Sequence, residues 1–277
     1  QPIADFELVQ EKVGWMVSYL FGLESMAYLT CGLTDAGVED YSLESAICKV
    51  AGTEFLWYAA NRALQLAGGE GYMKDHPYEK IVRDIRIFPI FEGANDVMRC
   101  FIALSAMKPV GEKLSGLGNI GLGDPIGSIG VLADYAAGRV KRQVAPASIS
   151  MAHPELEKHA DAVSEQVREL AAVTEGLIRE HKKNVTFKQL QQKRLADAIS
   201  DVYAQVAVLS RVTAIFEDQG VEPSGQERYI ADSFCQRAAG RVRSQLRQME
   251  SNDDERMTAI AKLAYKRGEY GYSLFTD

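Results

Sequence analysis

The sequence predicts an all-α protein, a four-helix bundle followed by a second helical bundle. Apolar residues recur with helical period along most of the 277 residues, and no segment alternates apolar and polar residues as a half-buried strand would. Glycines, prolines and Asp/Asn clusters mark where one periodic stretch gives way to the next. With 47% apolar residues the chain has enough material for one large core or two modest ones.

The first helix is predicted over residues 5–34, with Phe6, Val9, Val13, Met16, Leu20, Leu23 and Ala27 on one face, and Asp35-Ala36-Gly37 ends it. A second fits 42–66 and stops at the Gly68-Gly69 pair. A third begins at Pro77, a favoured first-turn residue, with Glu79 complementing the helix dipole behind it. The fourth starts after Gly93, with Asn95 and Asp96 as capping residues, and is expected to end before Pro109.

Glycine then recurs at close intervals from 111 to 130, between Leu114, Leu117, Ile120, Leu122 and Ile126, which reads as a linker with apolar anchors. A helix is expected over 128–143 and turns over 146–152. His153-Pro154-Glu155 opens a helix to about residue 182, and Thr186 opens another carrying Leu195, Ile199, Val202, Val206 and Leu209. Ser224-Gly225-Gln226-Glu227 has capping-box spacing for a third helix, and Ser251-Asn252-Asp253-Asp254 caps a fourth that frays near Gly268. The predicted organisation is a helical domain over 1–108, a linker with an amphipathic helix over 109–152, and a helical extension over 153–277.

A formal charge of −7, with no basic stripe interleaved with aromatics, argues against a nucleic-acid partner. Cys31, Cys48, Cys100 and Cys235 stand far apart, and for the three that fall inside apolar helical patterns buried inert thiols are expected rather than disulfides or metal ligands. His153 and His159 lack metal-binding spacing, so no metal site is predicted. No run reaches the roughly 18 apolar residues of a membrane span. The chain opens on Gln1-Pro2-Ile3 at the edge of a helix, which reads as a piece of a longer polypeptide.

The segment richest in chemistry is Arg86-Ile87-Phe88-Pro89-Ile90-Phe91-Glu92-Gly93-Ala94-Asn95-Asp96. Its apolar flank is expected to desolvate Glu92 and raise its pKa, which suits a general base. Gly93 lets a substrate approach the backbone. Taken alone, Glu92 reads as a capping or turn residue. Upstream lie Gln65-Leu66-Ala67-Gly68-Gly69-Glu70-Gly71-Tyr72, Pro77-Tyr78-Glu79 and Arg83-Asp84-Ile85-Arg86. Arg83, Asp84 and Arg86 are either an ion-pair set ordering the loop or a solvated surface pair.

Taken in order, these motifs resemble the C-terminal helical domain of the acyl-CoA dehydrogenases. Leu114-Ser115-Gly116-Leu117-Gly118 and His153-Pro154-Glu155-Leu156 resemble the C-terminal extension of the very-long-chain branch. The resemblance implies a flavoenzyme that uses FAD to dehydrogenate a long-chain acyl-CoA, with Glu92 as the α-proton base and Gly93 beside the thioester. It implies that Gln65, Leu66, Ala67, Gly68 and Gly69 reach the flavin of a partner subunit, and that Ala94, Asn95 and Asp96 contact the cofactor as well. The family usually has Thr where this chain has Ala94, so a side-chain contact is lost there. Tyr72 and the first two helices are candidates for the acyl cavity, with core packing as the alternative.

The branch further implies a homodimer on the matrix side of the mitochondrial inner membrane, in fatty acid β-oxidation, with electron-transfer flavoprotein as electron acceptor. Peripheral membrane contact is expected through 111–143. A paralogous branch with the same extension is tied to assembly of respiratory complex I, so a protein-binding module is the alternative.

Overall fold

The computed structural model describes residues 1–118, 149, 151–221 and 225–272, and every regular element among them is helical. The α-helices are α1 (Glu7–Asp35), α2 (Ser42–Ala67), α3 (Gly69–Tyr72), α4 (Tyr78–Ile85), α5 (Asn95–Gly118), α6 (Glu157–His181), α7 (Gln189–Gln219), α8 (Gln226–Glu250) and α9 (Asp254–Arg267). Short 3-10 turns occupy Ile3–Asp5, Pro154–Leu156 and Lys182–Phe187.

Helix α7 is the axis of the molecule. It packs on α6 and α8 of its own half and on α1, α2 and α5 of the other. One apolar cluster therefore runs from Met26, Ile47 and Ile102 through Leu195, Val208 and Val212 to Phe234 and Val242. By length and hydropathy α7 alone among the described helices is apolar enough to cross a membrane, but half of its most apolar window is buried inside this fold.

Helix α1 buries a different face from the one its large apolar residues predict. Phe6, Val13, Leu20 and Ala27 are exposed, whereas Ser18, Gly22, Ser25, Met26 and Thr30 are buried. The cause is close approach. A Cβ on Gly22 would lie 2.5 Å from the ring of Phe234, so only glycine lets α8 sit this near. The hydroxyls of Ser18, Ser25 and Thr30 are satisfied by donating to the carbonyls of Gly14, Phe21 and Met26, one turn back in the same helix. Thr30 is also hydrogen-bonded to Tyr203 of α7 at 2.8 Å, and Glu24 pairs with Arg211 of α7 at 3.1 Å.

Other boundaries differ from expectation for identifiable reasons. α5 continues through Pro109 to Gly118, so residues 111–118 of the expected linker are helical. An internal proline removes one backbone hydrogen bond at a cost of about 3 kcal/mol. Packing offsets it, because Ile102, Ala103 and Met107 of α5 are buried just ahead of the ring. The rest of the linker and the 128–143 helix lie outside the described residues.

α7 begins at Gln189 rather than Thr186, which lies in the 3-10 turn with its hydroxyl donating to Lys183 O. Gly225, not Ser224, is the N-cap of α8, and Ser224 is outside the described residues. α9 buries none of its residues, so the second bundle has three helices instead of four. Its start is tied to α7 by a two-pronged pair of Arg194 with Asp254, at 2.5 and 2.7 Å.

Candidate active site

The loop between α4 and α5 folds on itself through local turns. Phe91 N–H donates to Ile87 O at 3.1 Å, and Asn95 N–H closes the loop on Pro89 O at 3.0 Å. At its apex Glu92 has φ 53° and Gly93 φ 88°, two successive left-handed residues. That region costs a residue with a Cβ about 1–2 kcal/mol, so surrounding contacts must hold Glu92 in it.

Those contacts come from α2. Lys49 Nζ donates to Gly93 O and to Asn95 Oδ1, both at 2.7 Å. Asn95 is 5% exposed, and its amide is fully used: Nδ2 donates to Thr53 Oγ1 and Glu54 Oε1, while Oδ1 accepts from Lys49. The first backbone bond of α5 runs from Met98 N–H to the carbonyl of Ala94. Thus Asn95 fastens the loop to α2 rather than capping the helix, and its side chain has no donor left for a cofactor.

The network extends inward. Arg99, 9% exposed, meets Glu54 at 2.7 Å and Asp197 of α7 at 2.6 Å. Burial opposes its charge, but the two carboxylates outweigh burial and hold the guanidinium protonated. Burial also pulls the Lys49 ammonium below its usual value, with the charges of Glu54 and Glu92 opposing. The loop is thereby braced by α2, α5 and the core helix α7. Lys49, Thr53, Glu54, Arg99 and Asp197 lie outside the sequence motifs. The available signal was polar residues at one-turn spacing inside apolar helices, Lys49 with Thr53 and Asn95 with Arg99.

Glu92 borders a surface cleft of about 530 Å³ that also includes Asp40, Tyr41, Ser45, Lys49 and Phe101. Its carboxylate is exposed, and so are Ile87 and Phe91, at 49% and 44%. The expected desolvation of Glu92 is therefore not supplied by its neighbours in sequence, because those side chains point outward instead of closing over the carboxylate. The N–H groups of Glu92 and Gly93 have no acceptor among the described residues and are open to a ligand. A Cβ on Gly93 would meet Met98 Sδ at 2.7 Å.

The other expected contact segment is elsewhere. Residues 49 and 65 are separated by about 24 Å of helical rise along α2, so the structure does not bring 65–69 to the Glu92 loop. Gln65, Gly68 and Gly69 are exposed, while Leu66 and Ala67 are half-buried. Gly68 has φ 63°, and a Cβ on Gly68 or Gly69 would meet nothing within 4 Å, so the backbone is open to close approach. Tyr72 is 78% exposed and lines neither cleft. Arg83, Asp84 and Arg86 do not pair with one another: Arg83 meets Glu79 at 3.4 Å, Asp84 meets Lys80 at 2.5 Å, and Arg86 lies over Trp57.

A helical domain whose loop presents a braced carboxylate and glycine matches a known class. Residues 1–107 match the family model "Acyl-CoA dehydrogenase, C-terminal domain", and 154–270 match "ACAD9/ACADV, C-terminal domain". The chain belongs to the acyl-CoA dehydrogenase family. It is 36% identical over 257 residues to the very long-chain specific acyl-CoA dehydrogenase of Rattus norvegicus, covering 91% of this chain and 39% of that protein. It is 34% identical over 277 residues to the Homo sapiens protein of the same name, covering 97% of this chain and 42% of that one. The chain thus spans about two fifths of these relatives' length.

Among solved structures, an acyl-CoA dehydrogenase from Bacillus anthracis, complexed with FAD, superposes with TM-score 0.74 at 22% identity. The match covers 95% of this chain and 46% of that one, and it supports the fold.

Proposed function

We propose that this chain is the C-terminal portion of an FAD-dependent acyl-CoA dehydrogenase acting on long-chain acyl-CoA, with Glu92 removing the α-proton. The observation that carries this is the braced left-handed turn at Glu92 and Gly93, which presents a carboxylate and two unpaired N–H groups at one place.

The chemistry follows from those groups. A thioester α-proton is weakly acidic, so its removal requires both a positioned base and stabilisation of the charge that moves onto the thioester oxygen. Glu92 takes the proton, and the N–H groups of Glu92 and Gly93 are the donors for the developing oxyanion. Gly93 leaves room for the thioester, and Lys49, holding its carbonyl, fixes the plane of the next peptide. FAD supplies the acceptor for the β-hydride, the electrons passing on to electron-transfer flavoprotein.

Desolvation of Glu92 then comes from the acyl-CoA itself and from the part of the polypeptide that relatives have beyond the matched share. The outward apolar residues Ile87, Ile90 and Phe91 are the surface such a cover would use.

The open backbone at Gly68 and Gly69 suits close approach of a flavin pyrophosphate. Its distance from the Glu92 loop suits a second flavin, held by the partner subunit of a homodimer. Ala94 and Asp96 are the residues beside Glu92 left for cofactor contact. The division proposed is a dehydrogenase domain (1–108), a connection (109–152) whose first residues continue α5, and an extension (153–277). The location proposed is the matrix side of the mitochondrial inner membrane, since the relatives at 34–36% identity are mitochondrial proteins by name. The same names favour catalysis over the assembly-linked alternative.

The test is an anaerobic titration of the full-length flavoprotein with palmitoyl-CoA. Bleaching of the flavin absorbance is the expected result, and a spectrum unchanged by acyl-CoA of any chain length would overturn the assignment.

A further inference from the structure

A second cavity, of about 380 Å³, lies where α1 and α2 meet α7 and α8. Two helical stripes form its long walls: Trp15, Tyr19, Leu23 and Met26 on α1, and Val50, Phe55, Tyr58 and Arg62 on α2. Trp15, Tyr19, Leu23 and Met26 keep to one face of α1 by their spacing of three or four residues, as Ala51, Phe55, Tyr58 and Arg62 do on α2, and the α2 stripe runs about 18 Å from Val50 to Arg62. The space is therefore a slot rather than a bowl. Its inner end is lined by the buried Met26, Val50, Ala204 and Phe234, and its outer end opens beside Tyr58, which is half-exposed.

Three guanidinium groups line this slot, and two are neutralised. Arg99 is held by Glu54 and Asp197, and Arg241 by Asp201 with a further bond to the Tyr19 hydroxyl. Arg62 has no carboxylate partner among the described residues. It lies 4.0 Å over the ring of Trp15 and donates to the carbonyl of Tyr58 at 3.2 Å. The lining carboxylates Glu54, Asp197 and Asp201 are all engaged by arginine. The slot thus offers an acid group one uncommitted cation and offers an amine no uncommitted anion.

We propose that this slot binds a linear alkyl carboxylate, its acid group on Arg62 at the mouth and its tail running between α1 and α2 toward Met26 and Val50. The volume falls in the range of small-molecule sites, and of the charged side chains that line the slot among its apolar ones only Arg62 lacks an opposite charge beside it. The site is separate from the Glu92 cleft: the Asn95, Glu54 and Arg99 network stands between them. It does not depend on the function proposed above.

The experiment is photolabelling of the full-length protein with a decanoate carrying a diazirine at its methyl end, followed by peptide mapping. Label should fall on the segments bearing Met26, Val50 or Phe234, should be displaced by excess decanoate, and should resist decylamine at the same concentration. Arg62→Gln should weaken labelling at least tenfold, Ala51→Leu should block the slot, and Glu92→Gln should leave labelling unchanged. Label confined to other segments overturns the proposal. So does equal competition by decanoate and decylamine in the unmutated protein, a comparison that needs no variant to fold. Undiminished labelling of an Arg62→Gln protein that melts at the normal temperature overturns it as well.

Discussion

The ammonium of Lys49 donates to the carbonyl oxygen of Gly93 at 2.7 Å, so a helix residue 44 positions earlier in the chain holds the peptide next to Glu92. The same ammonium bonds Asn95 Oδ1, which locks the far side of the turn. The loop's own local turns are thus fixed in place from α2.

Lys49→Met keeps an unbranched side chain one atom shorter and removes the donor. It removes the bond to the exposed Gly93 carbonyl and leaves Asn95 Oδ1 with Thr53 alone, a cost of about 1 kcal/mol. The variant is expected to melt several degrees lower, with faster hydrogen exchange over 86–94 and little change in α6 or α8. Exchange in that loop equal to the unmutated protein's would show that Lys49 does not brace it.

Gly93→Ala should be disfavoured twice, by φ 88° and by the 2.7 Å approach to Met98 Sδ. The two causes separate in a double-mutant cycle with Met98→Ala, which removes the clash but leaves the dihedral. The clash part should be recovered and about 1 kcal/mol should persist. Full recovery in the double variant would mean that backbone conformation contributes nothing.

The Asp254 carboxyl is held below its usual range, chiefly by its hydrogen bond from Arg194. A carboxyl depressed in the folded state adds stability above its unfolded value, about 3.9, and that stability is lost as pH falls through the lower folded value. Because α9 buries none of its own residues, the expected loss is local. Exchange over 254–267, corrected for the intrinsic rate, should rise below about pH 4 while α7 stays protected. Asp254→Asn should produce the same change at pH 6. An α9 equally protected at pH 3 and pH 6 would remove this ion pair as its anchor.

From the sequence, Ile126, Ile129, Leu132, Ala133, Ala136 and Val140 recur at helical spacing with Arg139, Lys141 and Arg142 at one end, a pattern suited to an anionic bilayer surface. The full-length protein should co-sediment with cardiolipin-rich vesicles, each cation adding on the order of 1 kcal/mol at low salt. Salt should weaken the attachment, and I129E with L132E should abolish it. Unchanged binding by a folded double variant would mean that this segment packs on protein instead.

Much of the helical layout was legible because its signals are local. The Gly68-Gly69 stop, Asp35-Ala36-Gly37 and Gly268 each end a helix where expected. The buried face of α1 was not legible, because hydropathy selects large apolar residues while close helix contact selects Ser18, Gly22 and Ser25. Pro109 misled for a related reason: the packing that carries α5 past it comes from residues distant in sequence. At the candidate site the motif gave Glu92 and Gly93, yet the brace joins Lys49, Glu54 and Asp197 to them through tertiary contacts with no sequence period. α9 carries an ordinary amphipathic pattern, and a pattern does not say whether a partner surface lies opposite.

α-Proton exchange of palmitoyl-CoA in deuterated water tests Glu92 as the base without requiring the hydride step. Glu92→Gln in the full-length flavoprotein should keep its fold and FAD and lose exchange by about 10²–10⁴-fold, the usual worth of a positioned general base. Exchange within about tenfold of the unmutated rate, with FAD still bound, would contradict the assignment of Glu92.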